Sequence, residues 1–137
     1  MPPIQRLTVP DLAQPPGYAH IVVATGKRLV TTAGAVPLDD EGNLVGSGDV
    51  RAQARQTLHN LMRQLEAAGA SGEDVLKTTV YVAATDRADL VACWEEVQLS
   101  PLAAAASTLL GVALLGYTGQ LVEIEAIAVL PLRDPAR

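Results

Sequence analysis

Residues 104–125, AAASTLLGVALLGYTGQLVEIE, set two apolar runs on either side of a Gly-Tyr-Thr-Gly turn. Ala and Leu favour helix over the first run, but Ser107-Thr108 and Gly111-Val112 interrupt it, and the turn follows directly. Turn chemistry between two apolar runs predicts a hairpin, with 103–115 a buried strand and 121–130 its partner. Alternation along the second strand puts Glu123 and Glu125 on one face with Leu121 and Ile127. Two residues of strand separate the carboxylates by about 7 Å, close enough for joint acid–base work.

Other segments build a layered domain around this unit. Residues 18–24 (YAHIVVA) and 28–34 (RLVTTAG) read as strands of a hairpin with Gly26 in the turn. Over 50–68, Ala54, Leu58, Leu61, Met62, Leu65 and Ala68 recur at three- and four-residue steps and make one helical stripe. Asp49 caps its start and Gly69 its end. Residues 75–82 (VLKTTVYV) alternate as a strand, with Thr78, Val80 and Val82 on one side and Lys77, Thr79 and Tyr81 on the other. Thr85-Asp86 opens a second helix to Val97, whose Leu90, Val91, Trp94 and Val97 suit a core face. The expected order is ββαβαββ in one α+β domain over 1–137, a mixed sheet with two helices on one face. Residues 1–16, rich in Pro2, Pro3, Pro10, Pro15 and Pro16, form an extended arm.

Composition narrows the partners. A chain of 137 residues can bury a real core, yet it has no Phe, so that core must be Ala, Val and Leu packed closely. With only 18% charged residues, association into a homo-oligomer covers apolar surface that a monomer would expose. A net charge of −5 and no basic cluster longer than Lys27-Arg28 argue against nucleic acid. One cysteine fits a reducing cytoplasm, and the N-terminus carries no apolar signal segment. The run 102–115 is too short to span a bilayer.

Most polar motifs have plain structural readings. Cys93 beside Trp94 reads as a small buried residue and His59 as an exposed helix residue. Asp39, Asp40 and Glu41 form a solvated loop without calcium-loop spacing. Two histidines and one cysteine lack zinc spacing, no nucleophile elbow surrounds Ser107, and no phosphate-cradling glycine motif occurs. Tyr18 and His20 project from one side of the first strand. His20 is a base with the right ordinary range, but no partner carboxylate is evident.

Five short motifs, in order and spacing, resemble the reactive intermediate deaminase (Rid, or YjgF-like) family over about 15–130. They are GYAH at 17–20, LVTTAGAVP at 29–37, the helix at 53–69, VLKTTVYV at 75–82 and VEIEAIA at 122–128. The resemblance implies a chorismate-mutase-like fold, a homotrimer with pockets between subunits, and hydrolysis of small imines or enamines without a cofactor. It implies Glu123 as the catalytic carboxylate, with Tyr18, Gly34 and the Ala106-Ser107 pair around the substrate; His20 joins them beside Tyr18. Glu125 is then left to a structural or interfacial ion pair. The family's arginine, which would grip a substrate carboxylate through two parallel hydrogen bonds, falls where this chain has Ala106. The site is therefore expected to suit an imine without that carboxylate, or to bind a ligand without turning it over. Ribonuclease or translation inhibition, an older label of the family, is disfavoured by the acidic charge.

Overall fold

The computed structural model describes residues 4–11, 13–14 and 17–132. Among these residues are six strands and two helices: β1 (Ile4–Leu7), β2 (Ile21–Ala24), β3 (Lys27–Thr31), α1 (Val50–Ala67), β4 (Val75–Ala83), α2 (Arg87–Gln98), β5 (Ala106–Val112) and β6 (Val122–Pro131). A single turn of 3-10 helix at Gly72–Asp74 leads into β4. The α+β class, the mixed sheet and the helices on one face are as expected. The order gains one strand, because part of the arm forms β1; Pro2, Pro3, Pro15 and Pro16 lie outside the described residues.

Helix α1 forms where the periodicity predicts it. Asp49 accepts a hydrogen bond from the Ala52 amide at 3.0 Å, a cap worth about 1 kcal/mol. Gly69 takes φ +83° just past the end, and its amide returns to the Glu66 carbonyl. Ala54, Leu58, Leu61 and Leu65 are buried, each leucine contributing about 1.5–3 kcal/mol of burial. Ala68, the C-cap residue, is exposed and stands outside the core stripe. In α2, capped by Asp86 at the Ala88 amide, Cys93 and Val97 are buried, whereas Val91 points to solvent.

Strand pairing departs from both expected hairpins. The main sheet runs β3-β6-β4-β5, with β4 and β5 parallel and the other pairs antiparallel. β6 therefore lies between β3 and β4, and β5 pairs with β4, not with β6. β2 pairs with β1 in a separate two-stranded sheet, and Gly26, at φ +63°, turns the chain from one sheet into the other. A turn residue licenses a change of direction without naming the neighbour a strand takes. The buried strand expected over 103–115 is shortened to β5, an edge strand with Thr108 and Leu110 exposed. Residues 101–105 turn ahead of it.

Alternation divides the sheet. Thr78, Val80 and Val82 of β4 and Val122, Ile124, Ala126 and Ala128 of β6 are buried in the core with both helices. Lys77, Thr79, Tyr81, Glu123, Glu125 and Ile127 occupy the opposite, open face.

Candidate active site

On the open face the registers make a grid. Tyr81 lies opposite Glu123, and Thr79 opposite Glu125. On the other side of β4, Lys77 adjoins Ala106, Thr79 adjoins Thr108 and Tyr81 adjoins Leu110. Glu123 is held from two sides. Gln120 Nε2 donates to its carboxylate at 3.1 Å, and Gly34 packs so closely that a Cβ there would sit 2.1 Å from Oε2. Gln120 is itself fixed: the same nitrogen donates to the Val122 carbonyl at 3.0 Å, and its oxygen accepts from the Tyr117 amide at 3.1 Å. Gly34 is placed by its neighbour Ala35, which exchanges amide–carbonyl bonds of 2.8 and 3.2 Å with Ile124. Glu123 and Gly34, predicted to share a site, do meet.

Further in, buried Gln53 of α1 ties the turn before β6 to the loop before α1. Its Nε2 donates to the Gly46 and Gly119 carbonyls, both at 3.1 Å, and its Oε1 accepts from the Leu121 amide at 2.7 Å. The segment that presents Glu123 is thus anchored to the core.

Tyr18 and Ser107 belong to a second place. With Trp94 and Leu109 they line a cleft of about 220 Å³. Tyr18 meets Trp94 edge to face, ring centroids 6.2 Å apart. The Ser107 hydroxyl accepts from Thr78 Oγ1 at 2.8 Å, on the side of the sheet the helices cover. Ala106 is one residue earlier and so faces the open side, beside Lys77. The six predicted residues are not gathered into one pocket within the chain: Glu123, Gly34 and Ala106 are on the open side, and Tyr18 and Ser107 behind it.

His20 does something else. The Val9 amide donates to its Nδ1 at 2.8 Å, which leaves Nε2 to carry the proton toward the Ala13 carbonyl, 3.1 Å away. Both ring nitrogens are spent on backbone, so His20 clamps the N-terminal segment and offers no lone pair to a substrate.

Two groups have perturbed acidity near these places. Tyr81 donates to Glu125 Oε1 at 2.6 Å, and that bond, reinforced by burial, raises its pKa above the usual value. Glu125 forms this hydrogen bond and, among the described residues of the chain, no ion pair. Burial, then the nearby Glu96 charge, pushes the Cys93 thiol up to about 12, in keeping with an inert core residue. Tyr81, Gln120 and Trp94 were missed as site residues. Alternation puts Tyr81 on the right face, but only the β4–β6 register sets it opposite Glu123. Among the described residues no cluster of three His, Cys, Asp or Glu side chains could hold a metal ion, and no helix is long and apolar enough to cross a membrane.

Comparison with known proteins agrees with this architecture. The family model described as endoribonuclease L-PSP matches residues 11–130. A RutC family protein of Synechocystis is 35% identical over 115 residues, covering 83% of this chain and 86% of that one. The 2-iminobutanoate/2-iminopropanoate deaminase of Salmonella typhimurium is 46% identical over 54 residues, 39% of this chain and 41% of its own length. A RutC family protein of Pyrococcus horikoshii is likewise matched over only 40% of its length, at 46% identity. Among solved structures, YyfB of the Rid family from Yersinia pestis superposes with a TM-score of 0.82 at 34% identity, covering 93% of this chain and 99% of that one. The Escherichia coli YjgF product gives 0.62 at 36% identity, covering 82% and 87%. A family match across nearly the whole chain, joined to a shared fold, makes this protein a member of the endoribonuclease L-PSP family, the Rid or YjgF proteins.

Proposed function

We propose that the protein hydrolyses a small imine, or the enamine in equilibrium with it, to a carbonyl compound and ammonia, with Glu123 as the proton-transfer group. The observation that carries this reading is the Glu123 carboxylate, gripped by Gln120 and laid against the bare backbone of Gly34. Water oxygen bonds to the imine carbon while the π pair moves to nitrogen. Glu123 takes a proton from that water and passes it to nitrogen; it then relays the proton of the new hydroxyl to nitrogen as well, and the oxygen pair forms the C=O bond as the C–N bond breaks and ammonia leaves. Atoms balance with water alone, so the reaction needs no cofactor. Deaminase activity on 2-imino acids in the matched Salmonella relative supports the reaction class.

The cleft of Tyr18, Trp94 and Ser107 lies across the sheet from Glu123, so one chain offers two half-sites. A homotrimer that brings the half-site of one subunit to the other half-site of its neighbour would complete the pocket. Exposed Leu110, Leu114 and Ile127 on and near the open face are what such an interface would cover. A single inter-subunit pocket over one domain, in the cytoplasm, is the arrangement we infer. Ala106 offers no charge to a carboxylate, so the preferred substrate is an imine without one. The same methyl group favours a second reading, a trimer that binds a small neutral ligand without turnover. Despite the family's name, a net charge of −5 provides no field for RNA phosphates.

The test is ammonia release from a freshly generated neutral imine and from 2-iminopropanoate. Turnover of the neutral imine that falls about 100-fold or more in Glu123→Gln supports the hydrolase, as does gain of 2-iminopropanoate turnover in Ala106→Arg. Thermal stabilisation by the imine with no ammonia from either substrate would instead leave the binding reading.

A further inference from the structure

The chain has four aromatic side chains, one Trp and three Tyr, and its buried core uses none of them. Two of the four meet at the cleft behind the sheet, where Tyr18 stands edge to face with Trp94 at an interplanar angle of 81°. Rings carry more apolar area than most other side chains, and this pair, held out of the core, presents that area to the cleft. Both rings are fixed within one chain. Helix α2 anchors Trp94 through its buried neighbours Cys93 and Val97, and the indole packs in part against the core. Tyr18 is backed by His20, ring centroids 6.3 Å apart at 78°, and His20 is clamped to backbone at both nitrogens.

The rest of the wall is uncharged. Leu109 closes the cleft from β5, and Ser107 has its hydroxyl paired with Thr78 at 2.8 Å. No Lys, Arg, Asp or Glu is among the described lining residues. This composition belongs to a single chain, and a neighbouring subunit that caps the cleft leaves it unchanged. A charged group entering here would give up its water with nothing in the wall to replace it. A neutral ring gives up little and gains edge-to-face contact with two rings that already stand near right angles. The volume of about 220 Å³ is ample for one, since an apolar cavity of about 150 Å³ holds benzene.

We propose that the cleft seats an aromatic substituent of the substrate, which makes the substrate an aryl-alkyl imine and Trp94 the residue that selects it. The inference rests on the inter-subunit pocket already proposed: the ring lies against Tyr18, Trp94 and Leu109 of one subunit, and the C=N bond reaches the Glu123 half-site of its neighbour. Such a substrate carries no carboxylate, in keeping with the methyl group of Ala106. Trp94 stands apart from the proton-transfer group, so it governs which imine is taken and leaves the chemistry to Glu123.

Trp94 is the chain's single tryptophan, so its fluorescence reports this cleft alone. The experiment titrates the assembled protein with 2-phenylethanol, an unreactive mimic, and with 2-cyclohexylethanol. The expected result is a saturable emission change in wild type and in Glu123→Gln alike, the phenyl alcohol binding about threefold tighter or more. Binding without ammonia release would sink the hydrolysis and leave this site standing. In turnover, kcat/KM for 2-phenylethanimine should exceed that for ethanimine at least tenfold. That ratio should fall at least fivefold in Trp94→Ala and recover in Trp94→Phe. If wild type releases ammonia from neither imine, calorimetry replaces the ratio: 2-phenylethanol should bind Trp94→Ala at least tenfold more weakly than wild type. No saturable emission change, equal affinity for the cyclohexyl alcohol, or a ratio or affinity indifferent to Trp94 would overturn the proposal.

Discussion

Gly34 leaves room for Glu123 and for nothing else: one methyl group on its Cα would stand 2.1 Å from the carboxylate oxygen. The backbone at Gly34 does not lie at positive φ, so the position demands glycine for space and not for conformation. Gly34→Ala should therefore fold, because the obstacle is the end of a side chain that can swing away. The displaced carboxylate should lose the Gln120 bond, lowering ammonia release about 100-fold, as misplacement by an ångström does. A melting temperature near wild type with collapsed turnover is the expected pair of readings; full activity would mean that the position of Glu123 is unimportant.

Gln53 offers a stability test away from the site. Truncation to alanine strands the Gly46 and Gly119 carbonyls and the Leu121 amide in a buried place. The expected loss is about 2–4 kcal/mol in urea unfolding, the scale of several unmet buried groups partly relieved by water.

Tyr81 predicts a pH dependence. Its pKa is raised above the ordinary 10, the Glu125 bond being the largest cause. The folded chain therefore holds this proton more tightly than the unfolded chain does. The stabilisation is complete below pH 10 and is lost as pH rises through the folded value. Wild type should lose stability above pH 10 more steeply than Tyr81→Phe. Absorbance titration should show a late-ionising tyrosine in wild type that is missing from that variant.

Cys93 should be nearly inert. With its thiol pushed up to about 12 and buried among Val97 and the strand residues, almost no thiolate forms at pH 8. Labelling by a disulfide reagent at that pH should run at least 100-fold slower than in the urea-unfolded chain. Fast labelling of the folded protein would show that the α2 core opens readily.

Much of this was legible beforehand because it is local. Helix α1 and its caps follow from spacing and from Asp49 and Gly69, which act within one turn of the chain. The faces of β4 and β6 follow from strict alternation, so Glu123 and Glu125 were rightly placed together on the less buried side. Both expected hairpins failed, since a glycine-containing turn sets a bend and leaves the partner open. Val91 was assigned to the core by helical spacing, but it stands 53% exposed.

For the candidate site the division is similar. Sequence alone determined that a Glu-Ile-Glu run, a glycine at 34 and an uncharged residue at 106 are present, because residue identity is written directly in the chain. Tertiary structure decided what those residues touch. It set Gly34 under Glu123, Tyr81 across from it, Lys77 beside Ala106, and Ser107 on the far side of the sheet from its own neighbour. It also spent both nitrogens of His20 on backbone. Each of these is a contact between segments far apart in sequence, settled by strand order and register when the whole core packs, and no local pattern carries that information.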